Sequence, residues 1–542
     1  MRITAEQIKE KKWAFCLIFF ILFFNPVFYF WAGDVSLKDK SMSWIICLVV
    51  GLAFSCLDLF LKKRGEKIYL SILFLLSLMP NLINWSYLYL SNLYMKRDMY
   101  WVIFNSNMSE STEYVNQFIT WPIYLTITGY CGLGIFFILK AHSKSSLSIK
   151  AYPVLFVLPI LIVLCDISLQ YLSQAVPTLE FYKSYALFRK EYQTFEKEKE
   201  LRMQLTTVVR CNLPDSTKHV FVVLLGESTT TCHMSLYGYF RETTPRMDAR
   251  SSELDIYTDV ITPDTHTYGV MQKVLTFANH KHPEYYKKKA SLVELFNAAG
   301  FETYWIANNP ILDKWGASYG VISQQAQHIS DLSLAKKPDE IVLAQLKKNL
   351  KDGGKNNKII FIHLMGNHHS YNSRYTKAFE HFNHKQTNDL ADLDFRNKKM
   401  KQTIDEYDNS ILYGDFVYDA ILSELEKVNE SAYLLFFSDH GEEVYETRDA
   451  RGHIMSNVYP CQCQIPFVLW RSEKYKEENS DIIIDTTRPY SIEDVIYSLS
   501  TLSKLEYQDN DQSLSIFSAD YADPGKRLVG DEDYEDVLKK VK

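Results

Sequence analysis

Five long apolar runs near the N-terminus constrain the fold of this 542-residue chain more than any other feature. Each run holds about 18–23 mostly apolar residues, enough for a helix to cross a hydrocarbon core of roughly 30 Å. The runs cover residues 13–32, 44–61, 68–90, 118–139 and 152–172. Core helices of a soluble protein would carry polar faces that these runs lack. We therefore expect residues 1–172 to form a transmembrane domain of five helices.

The basic residues of the short connections predict how these helices are oriented. The N-terminal segment and the second and fourth connections carry eleven Lys and Arg residues, whereas the first and third carry four. By the positive-inside rule, the N-terminus then lies in the cytoplasm. Five crossings put everything after residue 172 outside, which in a bacterium is the periplasmic face of the inner membrane. Within the second run, Asp58 precedes Lys62 by one helical turn, which predicts an ion pair at the helix end.

Four of the nine cysteines lie in the half of the chain that we expect to be exported. An even number in an oxidising compartment is compatible with disulfides. Cys461 and Cys463 are too close in sequence to pair comfortably with each other. We therefore consider bridges from these two cysteines to Cys211 and Cys232.

A charged segment over residues 173–216 has helical spacing, with aromatic residues every three or four positions opposite Lys and Glu. This pattern predicts an amphipathic helix that lies along the bilayer surface and bridges two domains. An ordinary packed connector helix fits the same pattern.

Residues 217–542 alternate between short β-rich runs and helical patterns, which favours an α/β sandwich around a mainly parallel sheet. The predicted strands are HVFVVLLGES, FETYWIAN, KIIFIHLMG, AYLLFFSDHG and QIPFVLW. The predicted helices are SLVELFNAAG, DEIVLAQLKKNL, the 397–427 segment and SIEDVIYSLSTL. The net charge of −6 gives no basic footprint, so we expect no nucleic-acid partner.

Three of the predicted strands run into side chains that bind metals or phosphate. The first is followed by Glu227, the third by His368 and His369, and the fourth by Asp439 and His440. Ligands of parallel α/β folds bind beyond the carboxyl ends of the strands. Each group alone could be a helix cap or a turn, but the coincidence at three strands predicts a metal site.

Zinc is the metal that suits these groups, because Zn²⁺ takes oxygen and imidazole ligands in a four-coordinate geometry. Glu227, Asp439 and His440 supply three ligands of suitable type. The fourth position of a catalytic site belongs to the attacking group.

Five motifs of the exported half resemble, in order and spacing, those of the lipid-dependent phosphoethanolamine transferases of the alkaline phosphatase and sulfatase superfamily. They are GESTTTCHMSLYGYFRETTPRMDA, ITPDTHTYGVMQKVLTFAN, HLMGNHHSYNSRY, YDNSILYGDFVYDAIL and FFSDHGEEVYE. The resemblance is greatest to the subgroup that modifies the lipopolysaccharide core. It implies an alkaline-phosphatase-like catalytic domain over residues 217–542 behind a five-helix anchor.

Carried over residue by residue, the resemblance implies that Glu227, Asp439 and His440 hold a catalytic zinc. Thr265, in PDTHT, takes the position of the nucleophilic threonine and of the fourth zinc ligand. Thr267, two residues further on, is a weaker rival for this role.

Four other residues match the family more loosely. His368, in GNHH, and His453, in RGHIM, match histidines that bind substrate or a second metal. Asn105 and Glu110, in NSNMSES, resemble a stretch near the donor lipid. His369 is expected to be a neighbour of the site at the surface.

The implied reaction has two steps. The threonine takes phosphoethanolamine from phosphatidylethanolamine, and a hydroxyl of lipopolysaccharide then accepts it from the phospho-threonine. The continuation of PDTHT lacks the serine and proline of lipid A-modifying relatives, and the cysteines do not follow their pairing. Both departures favour a core sugar over lipid A as the acceptor.

Two other functions are compatible with the same residues. A membrane-bound phosphoglycerol transferase acting on a glucan or polymer would share the anchor, the threonine and the metal ligands. The second is a non-catalytic envelope scaffold, although such a protein would not need an intact set of metal ligands. A sulfatase activity is disfavoured, because the nucleophile region lacks the Cys/Ser-x-Pro-x-Arg sequence needed for formylglycine.

Overall fold

A computed structural model describes most of the chain in two compact units, Met1–Glu191 and Tyr192–Lys542. The described residues are 5–29, 32, 36–95, 97–105, 112, 115, 119–157, 160–161, 176–197, 209–214, 216–310, 318–352, 357–387, 390, 396–453 and 457–541. The division between the units falls inside the segment 173–216 that the sequence predicts to be a bridge. Over most of its described part, this segment is a helix.

The described part of the N-terminal unit is helical. Its main helices are α1 (Ala5–Glu10), α2 (Lys12–Phe28), α3 (Leu37–Asp58), α4 (Lys63–Ser91), α5 (Arg97–Asn105) and α6 (Trp121–Lys140), and helix α7 (Pro177–Lys197) begins in this unit and ends beyond its last residue, Glu191. Three of them, α3, α4 and α6, are long and apolar enough to cross a membrane, and α2 is a shorter apolar helix. The fifth predicted run lies largely outside the described residues, so the count of five crossings stays a prediction.

Buried polar side chains join three of these apolar helices. Asn25 of α2 donates a hydrogen bond to the side chain of Asn81 of α4 at 3.0 Å, and Asn81 donates to the Tyr130 hydroxyl of α6 at 2.8 Å. Polar groups of this kind link helices where apolar surroundings offer no water. At one end of the unit, Asp58 forms an ion pair with Lys11 and not, within the described contacts, with the predicted partner Lys62.

The C-terminal unit is built on a seven-stranded sheet. Its strands are β1 (His219–Gly226), β2 (Leu254–Tyr257), β3 (Glu302–Ala307), β4 (His328–Asp331), β5 (Lys358–His363), β6 (Ser431–Ser438) and β7 (Phe467–Arg471). They lie in the order β2-β7-β6-β1-β5-β3-β4. The five neighbours from β6 to β4 are parallel, and β7 is antiparallel to both β6 and β2. The sheet is therefore mixed and mainly parallel, as predicted.

Helices cover both faces of this sheet. The helices of this unit are α8 (Pro245–Ala249), α9 (Thr267–Val274), α10 (Tyr285–Lys288), α11 (Leu292–Ala298), α12 (Ser318–Ser323), α13 (Val342–Lys351), α14 (His384–Thr387), α15 (Lys398–Glu426), α16 (Pro460–Cys463), α17 (Glu473–Glu478), α18 (Val495–Leu502) and α19 (Tyr534–Lys539). Alternate residues of β1 enter different cores, with Phe221 in one and Val222 in the other. Burial on both faces explains why the central strands are continuous apolar runs.

All five predicted strands and all four predicted helices of this unit are confirmed, with ends shifted by a few residues. Two strands, β2 and β4, were not predicted. Short two-stranded ribbons complete the β-structure over Arg210–Cys211, Val260–Ile261, Glu443–Val444, Arg451–Gly452, Tyr490–Ser491, Leu505–Glu506, Leu528–Val529 and Glu532–Asp533.

One disulfide of the considered kind forms, between Cys232 and Cys461. Cys211 and Cys463 remain thiols. The bridge joins the segment after β1 to helix α16, 229 residues later in the chain.

Candidate metal centre

Three predicted ligands meet at the carboxyl edge of the sheet. The pairing of Gly226 with Ser438 in the parallel β1–β6 ladder sets Glu227 beside Asp439, and His440 follows directly. Exposure of these three side chains is at most 2%. Their ligand atoms all lie within 4.8 Å of one another, and His440 Nε2 is 3.4 Å from an oxygen of each carboxylate.

The hydrogen bonds of this cluster leave free ligand positions facing its centre. The His440 Nδ1–H donates to the carbonyl of Gly441 at 2.8 Å, which leaves the Nε2 lone pair for a cation. Asp439 Oδ1 accepts from the His440 amide at 2.7 Å, whereas its buried Oδ2 accepts no hydrogen bond from the described residues. Two buried carboxylates and an imidazole are a donor set that fits a divalent metal ion.

The pKa shifts of Asp439 and His440 also favour a divalent metal ion at this cluster. Burial and the neighbouring Glu227 carboxylate raise the pKa of Asp439 to about 8. Burial by itself would lower the pKa of His440, but the Asp439 and Glu227 carboxylates raise it to about 10. A divalent cation would therefore compete with protons for these buried groups.

Thr267, and not Thr265, is the threonine that reaches the cluster. Thr267 Oγ1 lies 3.1 Å and 3.3 Å from the two carboxylate oxygens of Glu227 and 3.5 Å from His440 Nε2. Thr265 Oγ1 instead contacts Nδ1 of the next residue, His266, at 3.2 Å, and its amide donates to Asp264 at 2.8 Å. The structure therefore brings the hydroxyl of the rival candidate Thr267, and not that of the predicted Thr265, next to the other three predicted ligands.

The local fold explains this difference. Helix α9 begins at Thr267, and His266 before it has the extended backbone of an N-cap residue. An extended pattern alone would put Thr265 and Thr267 on one face, and the start of the helix at Thr267 separates their surroundings. The first residue of the helix faces the cluster of Glu227, Asp439 and His440, and its hydroxyl also lies at the positive end of the helix dipole.

The loop that carries Glu227 is fixed by contacts to its backbone. The Asn367 amide donates to the Glu227 carbonyl at 2.9 Å, and the Tyr407 hydroxyl donates to the Ser228 carbonyl at 2.7 Å. Ser228 has a φ of 54°, a left-handed conformation that costs energy in a residue with a side chain. A Cβ on Gly366 would lie 2.6 Å from the Glu227 carbonyl oxygen, so this approach requires glycine.

His368 lies in the loop after β5 and faces the same region. Its Nδ1 is buried and has no hydrogen-bond partner among the described residues. Burial, with a contribution from the adjacent His369, holds the pKa of His368 well below its usual range. A neutral imidazole with an open nitrogen can bind a metal or a phosphoryl group.

His453 lies against the cluster on another side. Its ring centre is 4.2 Å from that of His440, and its Nδ1 is 2.7 Å from Oε2 of the buried Glu442. The other oxygen of Glu442 accepts from the Tyr371 hydroxyl at 2.5 Å. His440, Glu442 and His453 form a second group with metal-ligating spacing, so Glu442 is a site residue that the sequence reasoning did not single out.

The two weakly predicted lipid-contacting residues belong to the N-terminal unit. Asn105 is the last residue of α5. Glu110 lies outside the described residues. Their assignment to a donor lipid stays a prediction.

The C-terminal unit matches a protein family profile. The sulfatase family matches residues 219–505, which is more than half of the chain. Phosphoethanolamine transferase EptC of Escherichia coli (strain K12) is 28% identical over 448 residues, which cover 78% of this chain and 77% of that protein.

Solved structures are similar to the chain as well. The C-terminal periplasmic domain of EptC from Escherichia coli is 31% identical, with a TM-score of 0.58 over 61% of this chain and 96% of that domain. The same domain in complex with Zn gives a TM-score of 0.56. The integral membrane protein lipooligosaccharide phosphoethanolamine transferase A of Neisseria meningitidis is 18% identical, covers 93% of this chain and 98% of its own, and with a TM-score of 0.66 shares its fold.

Proposed function

Since the chain belongs to the sulfatase family and, within it, to the phosphoethanolamine transferases, we propose that it transfers phosphoethanolamine from phosphatidylethanolamine to lipopolysaccharide. The observation that carries the proposal is the Thr267 hydroxyl, 3.1 Å from a carboxylate of the buried metal-ligand cluster. A hydroxyl nucleophile beside a divalent cation is the arrangement that phosphoryl transfer through a covalent intermediate needs.

Zinc is the metal that we propose for this site. The donor set of Glu227, Asp439 and His440 suits it, and the periplasmic domain of Escherichia coli EptC is known in complex with Zn. When bound, zinc would lower the pKa of the Thr267 hydroxyl and offset negative charge on the phosphoryl oxygens. One ion per chain is expected here, and a second could be held with help from His368 and His453.

In the first step, Thr267 Oγ1 attacks the phosphorus of phosphatidylethanolamine. The new bond joins Oγ1 to phosphorus, and the bond from phosphorus to the glycerol oxygen breaks. Diacylglycerol leaves with the proton that the threonine gives up. The amides at the N-terminus of α9 lie next to Thr267 and favour the charge of a bound phosphoryl group.

In the second step, a hydroxyl of the acceptor attacks the phosphorus of phospho-Thr267. Oγ1 leaves and takes up a proton, so the threonine is regenerated. His453 suits the proton transfers, because Glu442 holds its Nδ1 and leaves Nε2 for the substrate. His368 is a candidate for binding the phosphoryl group.

The proposed acceptor is a core sugar of lipopolysaccharide, with lipid A as the second choice. The sequence departures after PDTHT and among the cysteines favour the core. We further propose that the chain is a multi-pass protein of the bacterial inner membrane with its catalytic unit in the periplasm. Three apolar helices of spanning length and the distribution of basic residues support this location.

The donor and the nucleophile can be tested together. Purified protein is incubated with phosphatidylethanolamine or phosphatidylglycerol labelled in the head group, and the label on the chain is located by mass spectrometry. We expect label from phosphatidylethanolamine alone, on Thr267. Thr267→Ala should lower transfer by about 10⁴-fold or more, as expected for loss of a nucleophile. Thr265→Ala is the matched control and should retain most activity.

Other outcomes would contradict specific parts of the proposal. Label from phosphatidylglycerol alone would favour the phosphoglycerol transferase, and label on Thr265 would overturn the geometric assignment. No label from either lipid, with normal folding and bound zinc, would favour the scaffold. For the acceptor, lipopolysaccharide from cells with and without the protein should differ by one phosphoethanolamine on a core sugar. The same shift on lipid A would reverse the order of the two acceptors.

A further inference from the structure

Helix α16 (Pro460–Cys463) contacts all three segments that bring ligands or the nucleophile to the metal centre. Toward the Glu227 loop, Cys461 forms the disulfide with Cys232, and the Thr231 amide donates to the Gln464 carbonyl at 3.2 Å. Since Cys232 is only five residues from Glu227, the bridge acts close to this ligand.

The same helix packs against the His440 loop. The Gly441 amide donates to the Gln462 carbonyl at 2.9 Å. A Cβ on Gly441 would lie 2.2 Å from the Cys461 carbonyl oxygen, so the two backbones approach as closely as glycine permits. A movement of Cys461 would therefore displace Gly441, the residue next to His440.

The third contact reaches the segment that leads to Thr267. The Thr262 amide donates to the Cys463 carbonyl at 3.0 Å, and Ile261 forms a β-bridge with Gln464. The Thr262 hydroxyl in turn donates to the carbonyl of Asp439. Helix α16, together with Gln464 after it, thus contacts the segments that carry Glu227, His440 and Thr267.

We propose that the Cys232–Cys461 disulfide is a positioning element of the metal centre, which holds α16 so that Glu227 and His440 keep their ligand geometry. The inference rests on the proposed function, because it presupposes a metal at the cluster. A helix of four residues has no stability of its own, since nucleation of a helical turn is unfavourable. The covalent bridge is the one link between α16 and the Glu227 loop that thermal motion cannot open.

Cys463, the third cysteine near this bridge, is not expected to exchange with the Cys232–Cys461 disulfide. Burial raises the pKa of the Cys463 thiol, and the thiol donates to the Pro460 carbonyl at 3.3 Å. A protonated, buried thiol is a poor nucleophile for disulfide exchange. The pairing of Cys232 with Cys461 is therefore expected to persist.

The test measures metal affinity and not only activity. The double variant Cys232→Ser/Cys461→Ser removes the bridge without leaving an unpaired thiol, and zinc affinity of the purified full-length protein is measured by competition with a chelator. We expect affinity to fall about 10–100-fold, the range seen when partners that orient a ligand are lost. Cys211→Ser, which removes an exported cysteine outside the bridge, is the matched control and should leave the affinity unchanged.

A second measurement covers the case in which the double variant does not fold. Folded, zinc-loaded wild-type protein is treated with a phosphine reductant, which opens the bridge to two thiols, and the rate of zinc release is compared with that of untreated protein. Faster release supports the proposal. Equal affinity in the folded variant, or equal release rates after reduction, would overturn it. If untreated wild-type protein binds no zinc, the proposed function itself fails.

Discussion

Both units of the chain bury a cluster of charged side chains, and the two clusters differ in the cation that faces their carboxylates. In the N-terminal unit, Lys11 Nζ lies 3.3 Å from Asp58 and 3.2 Å from Glu66, and the three side chains are at most 2% exposed. Lys11 also donates to the carbonyls of Asp58 and Leu61, both at 2.7 Å. The cation belongs to the chain.

In the C-terminal unit, Glu227 and Asp439 share a buried space with His440 and have no lysine or arginine among their described contacts. The only cation that this cluster can form by itself is a protonated imidazole. A buried charge has to be paired, because the cost of removing it from water is several kcal/mol. The N-terminal cluster thus takes its cation from the chain, whereas the C-terminal cluster fits the metal ion that we propose.

The largest effect is expected when a ligand of the second cluster is removed. Glu227→Gln takes away one anionic ligand, and the variant should fall from one zinc ion per chain to almost none after dialysis. Three or four ligands share a zinc-binding free energy of about 10–16 kcal/mol, so the loss of one costs roughly 2.5–5 kcal/mol. Metal analysis of the purified protein by mass spectrometry gives the measurement.

The control for this variant is Glu443→Gln. Glu443 is equally buried, lies three residues after His440, and pairs with Arg448 at 3.7 Å instead of joining the cluster. It should keep its zinc. Equal zinc loss in both variants would mean that zinc binding depends on any buried carboxylate in this region and not on Glu227 as a ligand. The proposed difference between the two clusters would then be wrong.

The sequence predicts the strands and helices of the C-terminal unit well, because buried parallel strands are continuous apolar runs. It misses β2 and β4, which have only four residues each; β4 is also partly exposed at the sheet edge. Runs of this length have no periodicity that distinguishes them from loops.

The meeting of the three candidate ligands was predictable for a related reason. Glu227, Asp439 and His440 follow strands whose ends the apolar pattern fixes to within a residue or two. The proposed nucleophile follows no such strand, and the choice between the two threonines depends on where α9 begins. Helix boundaries are uncertain by more than the two residues that separate Thr265 from Thr267.

Contacts that are distant in sequence were the least predictable. The Lys11 ion pairs join residues 47 and 55 positions apart, whereas the helical spacing suggested Lys62 as the partner of Asp58. The disulfide was one of several pairings that the cysteine count allowed. In both cases, tertiary packing decides among partners that are chemically equivalent.

A smaller effect, of a different kind, is expected from the first cluster. Lys11→Met leaves two buried carboxylates without their cation and should destabilise the N-terminal unit by about 3 kcal/mol or more. Unfolding in detergent micelles by added dodecyl sulfate, followed by circular dichroism, measures this change. Zinc content should stay at the wild-type value. A variant of normal stability would show that the Lys11 pairs do not matter, and the first cluster would lose its distinction from the second.

The smallest effect is expected from Asp58→Asn, which removes one carboxylate of the same cluster. Two carboxylates share one lysine, so the substitution leaves Lys11 and Glu66 as a balanced pair, and the Asp58 backbone carbonyl still accepts from Lys11. Stability in the same dodecyl sulfate titration should therefore change by less than about 1 kcal/mol. A loss as large as that of Lys11→Met would mean that both carboxylates are needed around the lysine. The N-terminal cluster would then resemble the proposed metal centre, in which we expect each anionic ligand to be required because a divalent cation carries two charges.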